Sequence, residues 1–257
     1  MLLTISPAKT LDFTIPKANN QLNYPTFIEE ADYLVAKLKK LSPKQIKSLM
    51  KVSDALAELN YERFQTWNKK FDPSISREAL KVFKGEVYQG IDIESIKESG
   101  QQYLQEHLII LSGLYGALKP NDSILPYRLE MGSSFKVTPT KNNLYKFWGD
   151  KITDYFNGRL EEQDTDTLIN LASNEYFKSI KEKNLKARVI VPEFKDLKNG
   201  SYKMISFFAK KARGRMVRYI ADNNITEPEH IKTFDVDGYI FNNSLSTKNK
   251  WVFTRDH

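Results

Sequence analysis

A chain of 257 residues with 40% hydrophobic and 12% aromatic side chains can fill a sizeable core, and it has no low-complexity run or solenoid-like repeat. The absence of cysteine excludes disulfides, thiolate metal sites and cysteine nucleophiles, and three scattered histidines (His107, His230, His257) argue against a histidine-rich metal centre. The net charge of +7 is uneven: Leu197–Ala221 holds seven basic residues and Tyr33–Ser53 six lysines, both without an acid, while elsewhere 26 basic residues face 32 acidic ones. An acidic body with concentrated basic segments points to a polyanionic partner. Met1–Lys9 lacks the basic start of a signal peptide and no apolar run approaches roughly 18 residues, so a cytoplasmic chain without a membrane partner is expected.

In chain order, Leu2–Ile5 predicts a short buried strand ending at Ser6-Pro7. Thr26-Phe-Ile-Glu29 has the form of a capping box, followed by Phe27, Ile28, Ala31, Leu34, Val35, Leu38 and Leu41 at helical spacing. Ser42-Pro-Lys-Gln45 combines an N-cap, a proline at the first helical position and a glutamine at the third, opening a helix with Ile46, Leu49 and Met50 on its apolar face. Another helix is expected over Asp54–Trp67, and a short one from Ser74 or Ser76 to Gly85. Leu108–Leu111, Thr167–Asn170 and Met204–Phe207 read as further short strands. Like Leu2–Ile5, each runs directly into Ser, Asn or Lys. Ligands of open α/β sheets gather outside the carboxyl ends of strands, so these four junctions are expected to wall one polar cleft. Arg188–Phe194 with Tyr202–Phe208, joined through Asn199-Gly200, predicts a hairpin, as does Tyr239–Asn242 with Trp251–Thr254. The expected architecture is a single-domain mixed α/β (α+β) fold: a mixed sheet with β-hairpins, surrounded by helices, with a positively charged cleft.

The second basic segment repays a helical wheel. At about 100° per residue, Lys210, Lys211, Gly214, Arg215 and Arg218 share one arc, opposite Ala212, Met216, Val217, Tyr219 and Ile220. Arg213 alone falls among the apolar residues, where a guanidinium must snorkel, pair with a carboxylate or line a cleft. The basic arc is either a solvated face or a phosphate-binding one. Lys44, Lys47 and Lys51, on a helix–corner–helix segment, are open to the same two readings.

Other constellations are weaker. Ser112-Gly-Leu-Tyr-Gly116 could offer backbone N–H groups to an anion but is neither a P-loop nor a dinucleotide fingerprint. Arg128 and Glu130, two apart on an extended segment, face the same way and form either a structural pair or a phosphate contact braced by a carboxylate. Lys9, just after a strand, and Glu175 with Lys178, spaced for one helix face, are candidate catalytic groups, although no complete catalytic motif is present. Phe83-Lys84-Gly85-Glu-Val87 has the hydrophobic–x–Gly–x–hydrophobic form of a helix-hairpin-helix turn; helix termination at Gly85 explains it equally well.

Taken in order, Ile5-Ser-Pro-Ala-Lys-Thr10, Phe83–Tyr88, Leu111–Pro120, Pro126-Tyr-Arg-Leu-Glu-Met-Gly132, Phe147-Trp-Gly149, Asn170–Lys178 and Ala209-Lys-Lys-Ala-Arg-Gly214 resemble the YaaA family of bacterial peroxide-stress-resistance proteins across nearly the whole chain. That resemblance implies a cytosolic protein that protects cells under hydrogen peroxide stress by limiting free iron and the DNA damage it causes. It also implies a single domain that binds DNA through a positive cleft and a helix-hairpin-helix-like element, without supplying a settled catalytic mechanism. The absence of cysteine excludes a thiol peroxidase. The expectation is therefore a monomeric protein that binds duplex, distorted or partly unpaired DNA through backbone and shape. Its contacts would be Lys210, Lys211, Arg213, Arg215, Arg218, Lys44, Lys47, Lys51, Lys84 and Gly85, with no cofactor and no metal. The alternative is an enzyme acting on a nucleotide or base in the same cleft, with Lys9, Arg128, Glu130, Glu175 and Lys178 around it.

Overall fold

In the computed structural model, which describes residues 1–15 and 22–256, the fully buried Leu2–Ile5 (β1) is an inner strand of an eight-stranded sheet. The other strands are β2 (Leu108–Ser112), β3 (Gly116–Leu118), β4 (Thr167–Asn170), β5 (Arg188–Lys198), β6 (Ser201–Lys203), β7 (Ile240–Phe241) and β8 (Lys250–Arg255). Their order is β7-β8-β5-β4-β1-β2-β3, with β6 added to β5. Strands β8, β5, β4, β1 and β2 form a parallel run, and β3, β6 and β7 join it antiparallel. Every residue of β1, β2 and β4 is buried, as parallel strands covered on both faces require.

The covering helices are α1 (Ile28–Leu38), α2 (Pro43–Met50), α3 (Asp54–Thr66), α4 (Glu86–Ile91), α5 (Glu98–His107), α6 (Lys151–Glu162) and α7 (Ser206–Asp222). The capping box expected at Ser42 is present: its hydroxyl accepts from Gln45 N–H, and the Gln45 side chain returns to Ser42 N–H at 2.8 Å. The one expected at Thr26 is absent. Helix α1 begins at Ile28 behind Phe27, which makes no side-chain cap; its ring instead meets Trp148 and Tyr155 at 5.5 and 5.7 Å. Glu29, the residue needed to close that box, pairs with Lys69 at 2.7 Å.

Two further expectations are corrected. The short helix before Gly85 shrinks to Ala79–Val82, because Arg77–Glu78 pairs with Ser123–Ile124 and Phe83–Lys84 with Thr10–Leu11. Met204–Phe207 is not a strand. The β5–β6 hairpin turns at Asn199 and Gly200, both at positive φ (54° and 73°) as an Asn-Gly turn demands. The returning strand then ends at Lys203, and Ser206 already opens α7.

Helices α4 and α7 cross at two glycines. A Cβ on Gly214 would lie 1.9 Å from the Val87 carbonyl oxygen, and one on Gly90 would lie 2.3 Å from that of Lys211. Only hydrogen side chains allow the backbones to meet this closely. Gly214→Ala and Gly90→Ala are each expected to destabilise the protein by about 1–3 kcal/mol or more through overpacking. Gly158→Ala in α6, where a Cβ meets nothing within 4 Å, is expected to stabilise it by about 0.5–1 kcal/mol through helix propensity. Thermal melts of the three variants check this.

A buried carboxyl supplies a second test. Asp122 is 6% exposed, accepts from Lys119 N–H at 2.8 Å, and is pushed by desolvation from 3.8 up to about 7. A carboxyl raised in the folded state binds its proton more tightly folded than unfolded. The stability this confers is therefore complete below about pH 4 and is lost as pH rises toward 7. Asp122→Asn should match the wild type at pH 4 and exceed it by a few kcal/mol at most at pH 7, read from denaturant midpoints at both pH values.

Candidate functional site

Strands β1 and β4 lie side by side and parallel, but the chain leaves them in opposite directions. The next strand after β1 is β2, on one side; after β4 it is β5, on the other. Where connections diverge, a crevice opens beyond the carboxyl ends of the strands. Here it is a cleft of about 480 Å³. Its floor is the two diverging loops, Ser6–Thr10 after β1 and Leu171 with Ser173 after β4. One wall is Lys84–Tyr88 at the start of α4, another is Glu130, Glu175 and Tyr176, and Lys210 and Arg213 of α7 close it.

The floor is knitted by hydroxyl groups. Ser6 Oγ accepts from Ser173 N–H at 2.8 Å and donates to Ser173 Oγ at 3.2 Å, and the Tyr88 hydroxyl donates to the Ser6 carbonyl at 3.0 Å. Burial pushes the Tyr88 and Tyr176 phenols well above the ordinary range, so both stay protonated at neutral pH. Glu130 is held from two sides, by Arg128 Nη2 at 2.8 Å and Lys9 Nζ at 3.2 Å. Glu175 accepts from Gly132 N–H at 2.9 Å, while its own carbonyl accepts from the Tyr145 hydroxyl at 2.8 Å. The antiparallel pairing of Thr10 with Lys84 brings the segments carrying Lys9 and Lys84 to one rim.

Lys9, Lys84, Gly85, Glu130, Glu175, Lys210 and Arg213, assigned to two separate functions by sequence, thus share one cleft. Arg128 stands behind Glu130 as its partner, and Lys178 is exposed and does not line the cleft. Of the four expected junctions, those after β1 and β4 form the floor. Ser112, at the end of β2, is fully buried and bonded to the Tyr127 hydroxyl at 2.7 Å, and the fourth strand does not exist. Tyr88, Tyr176 and Glu86 carried no sequence signal as lining residues. Ser6 and Ser173 carried one, as polar residues at strand ends.

The residues of the expected basic arc of α7 have different surroundings. Gly214 is buried against α4. Arg218 pairs with Asp92 at 3.3 Å and Asp222 at 3.0 Å and donates to Ser95 Oγ at 2.5 Å, and Arg215 lies 3.5 Å from Asp237. Both arginines thus have carboxylates of their own chain beside them. Lys211 opens onto a separate cavity of about 370 Å³ with Phe207, Phe208 and Arg255. Arg213 behaves as its misplaced position on the wheel required: it is half-buried at the cleft, with no hydrogen bond or ion pair among the described residues. Desolvation weakens its hold on the proton and the field of Glu193 opposes that.

Lys44, Lys47 and Lys51 lie apart from the cleft, along a groove of about 640 Å³ between α2 and α3. Lys51 joins the two helices in the left-handed conformation (φ 53°), and Lys47 pairs with Asp54 at 2.8 Å. Among the described residues no group of three or more His, Asp or Glu is placed to hold a metal ion, and no helix is long and apolar enough to cross a membrane.

The fold and cleft define a single-domain α/β protein with a crevice at the switch point of a mostly parallel sheet. Residues 1–245 match the family model described as peroxide stress protein YaaA. Curated relatives described as UPF0246 protein include those of Colwellia psychrerythraea (52% identical over 255 residues, 99% of both chains), Teredinibacter turnerae (51%, 99% of both) and Neisseria meningitidis serogroup C (48%, 99% of this chain and 98% of the relative). The chain belongs to the peroxide stress protein YaaA family.

An unpartnered, partly desolvated guanidinium is a cost to the free protein. Arg213→Met, similar in length and apolar, is expected to raise stability by about 1 kcal/mol, measured as a higher denaturation midpoint.

Proposed function

We propose that this chain acts in the peroxide stress response by binding DNA, its phosphates held by Lys9, Lys84, Lys210 and Arg213 at the cleft and by Lys44, Lys47 and Lys51 along the α2–α3 groove. The observation that carries the reading is Arg213. A guanidinium that gives up hydration without gaining an acceptor among the described residues is poised for an anion from outside, and its five donors suit phosphate. Lys210 beside it and Lys84 across the cleft extend the same preference. These contacts carry charge but no base code, so recognition is of backbone and shape. DNA held this way would be sheltered from oxidants formed by iron and peroxide.

A salt series on duplex DNA tests this. Each phosphate contact contributes roughly −0.9 to the slope of log affinity against log salt. Lys210→Ala/Arg213→Met should lose at least about tenfold in affinity and shrink the slope by nearly 2, whereas Arg218→Ala should lower the melting temperature and leave the slope alone. Wild-type affinity and slope in the double variant would refute the assignment.

The position of the cleft favours a second reading, an enzyme acting on a nucleotide or base. A crevice of this size at a switch point, lined by Lys9, Lys84, Lys210 and Arg213 and by Glu86, Glu130 and Glu175, could hold a phosphate and place a carboxylate beside the base. Lys9 is a poor nucleophile in it, because its side chain is 66% exposed and paired with Glu130, without the desolvation that activates lysine. Under this reading Glu130→Gln keeps DNA affinity and loses peroxide protection in cells; full protection counts against it.

A further inference from the structure

The acid-free segment that contributes Lys210 and Arg213 to the cleft also carries a feature that phosphate contacts leave unused. Its aromatic residues separate into two kinds. The Tyr202 hydroxyl donates to Asp256 at 2.8 Å, Tyr219 shares a hydrogen bond with Thr233 at 2.9 Å, and Phe208 lies under the Arg255 guanidinium at 4.9 Å. Phe207 is different: at the first turn of α7 it is 55% exposed, and Met204, just before the helix, is 49% exposed.

Phe207 stands on a rigid base. Its ring meets Phe208 edge-on at 5.8 Å. Arg255, over Phe208, is in turn clamped by the fully buried Asp196, which accepts from its Nε at 2.8 Å and Nη2 at 2.6 Å and from the Tyr239 hydroxyl. Lys210 and Lys211 follow Phe207 by three and four residues and so share its face of the helix. Lys198 and Lys203 lie on the hairpin that leads into it. Among the described residues none of these four ammonium groups has a hydrogen bond or ion pair, and Leu197–Ala221 contains no acid.

We infer that Phe207, backed by Met204, is a stacking wedge for nucleic-acid bases: it seats against an unpaired base or a weakened base step while the surrounding lysines hold the flanking phosphates. The inference rests on the DNA-binding reading and adds to it a preference for unpaired or distorted sites. Proteins that unstack DNA use an apolar side chain of this kind, set among cations, and an aromatic face accepts any base. The charge around the wedge selects a polyanion. The shape selects nucleic acid over a lipid surface, because an interfacial helix needs a continuous apolar face and that of α7 (Ala212, Met216, Val217, Ile220) is buried in the core.

The experiment compares a duplex with the same duplex carrying a two-base bubble that contains 2-aminopurine, whose fluorescence rises when it leaves the stack. Wild type should prefer the bubble and change the fluorescence on binding. Phe207→Ala should lose about tenfold in bubble affinity and the change in fluorescence, at an unchanged salt slope and melting temperature, and Phe207→Trp should keep both. Lys210→Ala/Lys211→Ala should weaken duplex and bubble alike, leaving their ratio intact. If wild type binds DNA with a salt-dependent affinity and Phe207→Ala behaves identically, the wedge is wrong and the DNA reading stands. If wild type binds neither DNA, both fall. Loss of binding to phosphatidylglycerol vesicles in Phe207→Ala, or loss of a dimer in sedimentation, with bubble binding intact, would overturn the wedge in favour of a membrane or self-association surface.

Discussion

The contact between Gly90 and Gly214 sets the geometry on which the cleft depends. Helix α4 carries Glu86, Val87 and Tyr88 into one wall, and α7 carries Lys210 and Arg213 into the facing one. Their separation is the thickness of two backbones, because neither crossing residue has a side chain. A methyl group at either position would push the helices apart and shift the lining residues they carry without changing any of them. The site is thus defined by a packing constraint on residues whose own chemistry is null. The backbone of α4 is also tied into the floor, through the Tyr88 hydroxyl on the Ser6 carbonyl.

Charge in this molecule divides by what it touches. Arg218 donates to Asp92 and Asp222 and Arg215 lies 3.5 Å from Asp237, so both arginines already have carboxylate partners. Arg213, Lys210 and Lys211 find no such partner among the described residues. Two cations five residues apart on one helix, Arg213 and Arg218, therefore differ: among the described residues Arg213 has lost water for no hydrogen bond or ion pair, with only the field of Glu193 in compensation, and Arg218 is satisfied several times over. The cleft itself offers phenols, carboxylates and cations.

Much of the fold was legible from local pattern. Buried runs such as Leu2–Ile5 and Thr167–Asn170, the Ser42 capping box and the Asn199-Gly200 turn are decided within a few residues, and the structure has them where the pattern put them. The failures share a cause. Thr26 lost its box because Phe27 had rings to meet far along the chain, and Glu29 had Lys69. Met204–Phe207 looked like a strand because three of its four residues are apolar, but that run is a helix entry with Met204 and Phe207 left in solvent. Local apolarity does not distinguish a buried strand from an exposed apolar tip.

What the amino-acid sequence determined by itself was the set of chemistries available: no thiol, few imidazoles, two acid-free basic segments, polar residues at strand ends, and an Arg213 out of phase with its helix. Those follow from composition and from the periods of helix and strand. What only the tertiary structure decided was which of these residues meet. Lys9, Lys84, Glu130, Glu175, Lys210 and Arg213 come from five distant stretches of chain, and they converge because β1 and β4 pair in parallel and send their connections opposite ways. Strand order and the partner of each cation are properties of long-range packing, on which a one-dimensional period carries no information.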